Sequence, residues 1–335
     1  MIRYAVIGTN FITDRFIEAA KECDNIKFHG VYSRDINRAR EYGDKNGAKL
    51  VFDKLNDLAE CDEIDMVYIA SPNSFHCSQS ILMLKSKKHV LCEKPIASNS
   101  KELKKMIKAA SDNNTILLEA MRTVYDPGFL EIEKNLNKLG KIRRANFYYC
   151  KYSSRYDNFK KGVIENAFKP ELSNGALMDI GVYCVHALAR LFGAPNEVKA
   201  QSIILENGID GAGTIIAKYD EMQADLMYSK IADSYIPSEI QGEDGTMVID
   251  MISEPKDITI YYRDGRKEKI SVDKKQNNMY YEAMEMVRLI ENPNYEKDYN
   301  KYSLIELNIM DEVREQTGIH FPADKIECYY SATEK

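Results

Sequence analysis

The chain has 335 residues, 44% of them hydrophobic and 29% charged, and a net charge of −6. Such a length exceeds one ordinary core and predicts two domains, while the composition excludes a disordered or fibrous chain. The acidic balance offers nothing to nucleic acid or to an anionic membrane surface, so neither is expected as a partner.

The seven cysteines, Cys23, Cys61, Cys77, Cys92, Cys150, Cys184 and Cys328, form no CxxC or Cys/His cluster. They predict reduced thiols, no metal site and a cytoplasmic location. A strand starting at residue 2 leaves no room for a signal peptide, and no apolar segment reads as long enough to span a bilayer.

From the N-terminus, Ile2 to Ile7 is an apolar run, Gly8-Thr9-Asn10 breaks it, and Ile12, Phe16, Ile17, Ala20 and Cys23 recur at helical spacing. The pattern is strand, tight turn, helix. Gly8, Asn10 and Thr13 stand where a G-x-G-x-x-G fingerprint has its glycines. Asn tolerates left-handed φ better than other side chains and Thr is small, so the loop can keep its shape. Gly8, Thr9, Asn10, Phe11 and Ile12 are then expected around a pyrophosphate at the helix N-terminus. On its own the stretch is explained equally well by a plain βα turn.

A second predicted strand, Lys27 to Ser33, ends about twenty residues beyond the loop, where the group that reads the adenosine ribose lies. Ser33 and Arg34 suit the 2′-phosphate of NADP through a hydroxyl and a charged fork, so NADP is the preferred cofactor. In the alternative, Ser33 caps the next helix, Arg34 is solvated, and Asp35 serves the 2′-hydroxyl of NAD.

Apolar runs at Ile64–Ala70, His89–Cys92 and Thr115–Met121 alternate with helix-patterned Phe75–Lys87 and Lys101–Asn113. The alternation predicts a doubly wound parallel sheet with helices on both faces. Ligands bind at the carboxyl ends of such strands, so Ser71-Pro72-Asn73, Glu93-Lys94-Pro95 and Glu119-Ala120-Met121-Arg122 are expected to line one crevice. His76 is a candidate beside the cofactor, with local helix packing the favoured reading. A lysine at the end of a buried strand beside a φ-locked proline can be aimed at a reacting oxygen, although Glu-Lys-Pro also occurs as an exposed turn.

Beyond about Asp126 the pattern changes. A helix, Gly128–Lys138, precedes alternating segments at Ile142–Tyr152, Val198–Leu205, Gly213–Tyr228, Ser238–Ile252 and Asp257–Val272, with turn signals at Gly242-Glu243-Asp244-Gly245 and Arg263-Asp264-Gly265. They predict an α/β domain with a large open, mainly antiparallel sheet. Its uncovered face, with Tyr148-Tyr149 and Tyr261-Tyr262, predicts a homo-oligomer, dimer or tetramer. The expected division is residues 1–122 for the dinucleotide and 123–335 for substrate and oligomerisation.

Within this half, Leu177 to Phe192 reads as a mostly apolar helix. Asp179 and Tyr183, four apart, share a face, so a carboxylate and a phenol project together, either as a functional pair or as satisfied core groups. His186 is read as supporting or core.

The order Gly8-Thr9-Asn10-x-Ile12-Thr13, Tyr32-Ser33-Arg34, Ser71-Pro72-Asn73-x-x-His76, Cys92-Glu93-Lys94-Pro95, Glu119-Ala120-Met121 and Gly175 through Tyr183 resembles the Gfo/Idh/MocA oxidoreductases over essentially the whole chain. The resemblance implies a Rossmann domain followed by an open-sheet α/β domain, and hydride transfer between a nicotinamide cofactor and a sugar, cyclitol or related polyol. The family's Glu-Lys-Pro lysine falls on Lys94, and the aspartate of its D-x-x-x-[HY] motif on Asp179. Tyr183 stands where many members have histidine, as in the branch of glucose-fructose oxidoreductase, dimeric dihydrodiol dehydrogenase and NADP-linked xylose dehydrogenases. Asn10, Thr13 and Asn174 depart from the family's usual residues.

Oxidising a hydroxyl requires one group to take its proton and another to steady the charge on oxygen. Tyr183 is the candidate acid/base and Lys94 the electrostatic partner, or the reverse, with Asp179 orienting substrate or lysine. Arg122, Tyr125, Tyr152, Arg155 and Asn166 are candidates for binding hydroxyl groups. Two other readings remain at this level: an NAD-dependent glycosidase using transient oxidation, and a cofactor-binding regulator without turnover.

Overall fold

A computed structural model describes residues 1–292 and 298–325. They form two compact units, one of Met1–Arg122 with Lys275–Lys301, the other of Thr123–Lys274 with Tyr302–Asp324. The second domain expected over 123–335 is therefore not continuous, because the chain returns to the first unit at Lys275.

The first unit holds six parallel strands, β1 (Ile2–Ile7), β2 (Ile26–Tyr32), β3 (Leu50–Phe52), β4 (Met66–Ile69), β5 (His89–Glu93) and β6 (Leu117–Ala120), in the order β3-β2-β1-β4-β5-β6. This is the doubly wound order, whose reversal between β1 and β4 opens a crevice at the strand ends. Short polar side chains start the crossover helices. Asn10 accepts from the amides of Ile12 and Thr13 to cap α1 (Phe11–Ala20), and Asp35 accepts from Asn37 and Arg38 to cap α2 (Ile36–Asn46). Helices α3 (Leu55–Glu60), α4 (His76–Lys85) and α5 (Ser100–Asn113) complete the alternation.

An aromatic stack fixes α1 to the sheet: the fully buried Phe16 lies 3.8 Å from the Tyr68 ring centroid at 8°, and 5.6 Å from Tyr4 edge-on. Each such ring contributes about 1.5–3 kcal/mol by burial. The returning helix, Met279–Glu291, buries Met279, Ala283, Met286 and Val287 and packs on α1, where Asn277 donates to the Arg15 carbonyl at 2.8 Å. Those buried side chains recur at 3–4 residue spacing, which is why the segment belongs to this unit.

The second unit carries β7 (Ile142–Cys150), β8 (Glu197–Ile204), β9 (Asp210–Lys218), β10 (Gln223–Ser229), β11 (Ser238–Gly242), β12 (Gly245–Ile249), β13 (Asp257–Tyr262) and β14 (Lys267–Ser271), ordered β14-β13-β12-β11-β7-β10-β9-β8. Every pairing is antiparallel except β10 with β7. The segments read as single runs from Gly213, Ser238 and Asp257 are each two strands joined by tight turns. Phe147, Ile215, Leu226, Ile240, Met247 and Ile260 point to a buried face. On the opposite face Ile203, Ile216, Met227 and Tyr261 are exposed.

The stretch Pro170–Phe192 contains an 18-residue window of mean hydropathy 1.3, long and apolar enough to cross a membrane, contrary to the expectation that no segment is. Its most apolar window is 72% buried inside the fold, the signature of a core helix. Cys23, Cys61, Cys92, Cys150 and Cys184 are free thiols. Cys328 lies outside the described residues.

Candidate active site

In the first unit the turn after β1 is built for close approach. Gly8 adopts φ +113, and a Cβ there would lie 2.6 Å from the Ala70 carbonyl oxygen at the end of β4. Only glycine fits both the conformation and the space. Asn10 donates to that same oxygen at 2.8 Å while capping α1, so its amide locks the turn in place of a second glycine. Thr13 is fully buried, the small residue that lets helix and strand pack closely. Thr9 and Ile12 are half-buried and Phe11 is exposed. The cradle fits the pyrophosphate of a dinucleotide at a helix N-terminus.

At the tip of β2, Asp35 is occupied as the cap of α2, its Oδ1 accepting from the Asn37 amide at 2.9 Å. Ser33 Oγ accepts from the Asp35 amide at 3.3 Å, and Arg34 is exposed. Arg38, which the sequence reading passed over, donates from Nε to Thr9 Oγ1 at 2.7 Å and from Nη2 to the Thr9 carbonyl at 3.3 Å. It ties the ribose-reading tip to the phosphate turn. A cation in the first turn of a helix opposes the helix dipole, and that was the available signal.

Around the end of β5, Lys94 is half-buried, the Lys94–Pro95 bond is cis, and Glu93 is buried. The Tyr68 hydroxyl donates to Glu93 at 2.5 Å, and the Lys94 amide donates to its other oxygen at 3.3 Å. Burial pushes Glu93 up, opposed by Tyr68, Lys94 and Arg122. Glu282, fully buried on the returning helix, is pushed well above the usual carboxylate range by burial and by Glu93. Arg122 donates to the Asn278 side chain at 2.8 Å.

His76 is fully buried, 2.9 Å from the Ser71 carbonyl and 3.0 Å from the Pro95 carbonyl. Burial lowers it to about 4, so the neutral ring braces one strand-end loop against another, in keeping with the favoured packing reading. Ser71 Oγ donates to Gln79 at 2.7 Å, Pro72 is half-buried, and Asn73 is buried at the start of the following turn.

In the second unit the helix expected over Leu177–Phe192 opens with a π turn, Leu177–Gly181, before regular α-helix from Val182 to Phe192. Gly175 and buried Asp210 begin it: Asp210 accepts from the amides of Ala176 at 3.0 Å and Leu177 at 2.7 Å, and a Cβ at Gly175 would overlap its carboxylate. Burial raises Asp210 to about 6. Asp179 sits in the π turn with a third of its side chain exposed, and Lys230 Nζ pairs with its Oδ2 at 2.8 Å. Tyr183 is buried, its ring 5.5 Å from and edge-on to Tyr149. His186 is instead committed to Glu306 at 2.6 Å in the core.

Of the candidate hydroxyl binders, Tyr152 donates to Asp157 at 2.7 Å and accepts from Lys160 at 2.8 Å, while exposed Arg155 faces Glu165 at 3.5 Å. Tyr125 is buried, and the exposed Asn166 offers its carbonyl to Asn174 at 3.0 Å. The structure thus pairs Asp179 with Lys230 in the second unit, and groups Gly8, Thr9, Asn10 and Arg38 with the tip of β2 in the first.

A doubly wound sheet with a glycine phosphate turn, joined in one chain to an open-sheet unit bearing an Asp–Tyr helix, defines an NAD(P)-dependent oxidoreductase. The chain belongs to the Gfo/Idh/MocA family: residues 2–121 match its oxidoreductase model with an NAD-binding Rossmann fold, and residues 135–248 match its C-terminal domain model. It is 51% identical to scyllo-inositol 2-dehydrogenase (NADP(+)) IolU of Bacillus subtilis (strain 168), over 97% of this chain and 100% of that one. It is 29% identical to trans-1,2-dihydrobenzene-1,2-diol dehydrogenase of Danio rerio, over 74% of each. The fold is also that of a 3-ketoreductase from Actinomadura kijaniata solved with NADP and TDP-benzene, with a TM-score of 0.83 and 19% identity over 94% of this chain and 98% of that one.

Proposed function

We propose that this enzyme uses NADP to interconvert a ring hydroxyl and a ketone of a cyclitol of the inositol type. The observation that carries the reading is the 51% identity to a scyllo-inositol dehydrogenase over the whole of that chain, and Asp179 and Tyr183, four residues apart, supply a carboxylate and a phenol suited to a polyol. NADP is favoured over NAD because Asp35 is spent on capping, leaving Ser33, Arg34 and Arg38 for a 2′-phosphate.

When bound, the nicotinamide accepts or gives the hydride. Tyr183 takes the hydroxyl proton, Lys94 steadies the negative charge on that oxygen, and Asp179 accepts a hydrogen bond from a neighbouring hydroxyl. Gly8, Thr9, Asn10, Phe11 and Ile12 surround the pyrophosphate, and Ser71, Pro72 and Asn73 flank the nicotinamide half. Arg122, Tyr152 and Arg155 contribute to the polyol site.

The enzyme works as a homo-oligomer, because the exposed apolar side chains Ile203, Ile216 and Met227 on the adjacent strands β8, β9 and β10 need a cover. Five free thiols suit the reducing cytoplasm. Reduced-nicotinamide absorbance, followed with NADP or NAD against inositols, aldoses and dihydrodiols, tests the reading. NADP-linked oxidation of an inositol is expected. Silence across every polyol would refute it, and a monomer by light scattering would remove the oligomer.

A further inference from the structure

The second unit contains a lysine that nothing in its local sequence marks. Lys230 directly follows β10 and is 2% exposed. Its Nζ donates to the Ala167 carbonyl at 2.8 Å, pairs with Asp179 Oδ2 at 2.8 Å, and lies 4.4 Å from the centroid of the Phe168 ring. Its backbone is fixed as well, the amide donating to Gly211 and the carbonyl accepting from Ser153. Ammonium, carbonyl and aromatic face form a built socket, and burying a lysine there is costly unless the charge is paired.

The pair is asymmetric in a way that matters. The lysine side chain is 3% exposed and the aspartate 33%, so the counter-charge reaches the carboxylate from inside the fold while part of the aspartate side chain stays exposed. A core ion pair buries both partners, and a surface pair exposes both. A part-exposed carboxylate held in place by a buried ammonium is arranged to receive a ligand's hydroxyl without changing its rotamer.

The other titratable groups on the elements packed against the π turn do not compete for this role. Burial pushes Cys184, Cys150 and Tyr228 upward, so they stay uncharged. Asp210 is committed to the amides of Ala176 and Leu177 and feels Lys230 only at longer range. Tyr183 follows one turn later, against Tyr149.

We propose that Lys230 is a positioning residue, holding Asp179 ionised and in one orientation so that its part-exposed carboxylate binds the substrate hydroxyl next to the one oxidised. This rests on the polyol-dehydrogenase reading, and the tests separate the two. Lys230→Met should lower kcat/KM for the polyol about 10- to 150-fold, the range for losing one charged hydrogen bond, mostly through KM. NADP binding should be unchanged. The acidic limb of kcat/KM should move to higher pH by about one unit or more, and Lys230→Arg should restore it in part.

Because Lys230 acts through Asp179, the double variant Asp179→Asn/Lys230→Met should be no slower than Asp179→Asn alone. An unmoved acidic limb, or losses that multiply in the double variant, would overturn the proposal. If the wild type turns over no polyol, the functional reading fails, and Lys230 is still tested by carboxyl-carbon NMR titration of Asp179, assigned through Asp179→Asn. Loss of Lys230 must then raise the pH at which Asp179 protonates, and identical titrations in both proteins would sink the idea. Where Lys230→Met does not fold, Lys230→Gln keeps a donor in the socket and serves the same comparison.

Discussion

Removing the Arg38 side chain should convert the cofactor preference. Its guanidinium is already oriented by Thr9, through Nε at 2.7 Å and Nη2 at 3.3 Å, so little conformational freedom is lost when a phosphate arrives. A charge-assisted hydrogen bond contributes about 1.5–3 kcal/mol, which converts to about 10- to 150-fold in affinity. Arg38→Ala should therefore raise KM for NADP by about 30-fold or more and leave that for NAD nearly unchanged. Arg34 is exposed and, among the described residues, no hydrogen bond fixes it, so it gives up about 1 kcal/mol in ordering; Arg34→Ala should cost only about five- to tenfold. The assay is initial-rate kinetics with both cofactors at low and high ionic strength, where salt should shrink the NADP advantage of these exposed charges. Equal losses for both cofactors, or none for NADP, would refute the reasoning.

Tyr183→Phe and Lys94→Met should each lower turnover about a hundredfold or more while cofactor still binds by fluorescence titration; full turnover in either removes that residue from the chemistry. Gly8→Ala places a Cβ 2.6 Å from the Ala70 carbonyl at φ +113, so it should cost about 1–3 kcal/mol in thermal stability and weaken NADP binding; a variant with wild-type affinity would show the cradle to be loose. Asp210 is raised from 3.8 to about 6 in the folded state, which then binds more protons than the unfolded chain between those values. Its contribution to stability is therefore present at low pH and lost as pH rises through about 6, amounting to about 3 kcal/mol. Asp210→Asn should flatten that part of a denaturant-midpoint profile, and parallel profiles would contradict the assignment.

The parts legible in the sequence were those whose signals are local. The phosphate turn follows from one apolar run and one glycine, and the β5 end from an apolar run and a proline. The three residues of β3 were missed because one is exposed and two half-buried, leaving no periodic pattern. The π turn was read as ordinary helix because its extra residue comes from how the segment packs on its sheet, which no spacing rule registers. Lys230 was invisible for a further reason: a lysine after a strand reads as solvated, and the carbonyl that accepts from it lies 63 residues earlier in the chain. Arg38 stood in plain view, and only its conflict with the helix dipole set it apart.

The return of the chain at Lys275, its second departure at Tyr302 and its return at Lys325 mean that four covalent crossings link the two units. Neither unit corresponds to one uninterrupted stretch of coding sequence. During synthesis the face of α1 stays uncovered until Met279–Glu291 emerges, after most of the open sheet already exists. A fragment ending at Arg122 would display that apolar face, and a chimaera exchanging only one end of the gene would inherit half of a Rossmann unit. Recombination between relatives is therefore constrained to paired breakpoints, so the nucleotide-binding and substrate-binding halves of this enzyme are harder to exchange than its two-unit architecture suggests.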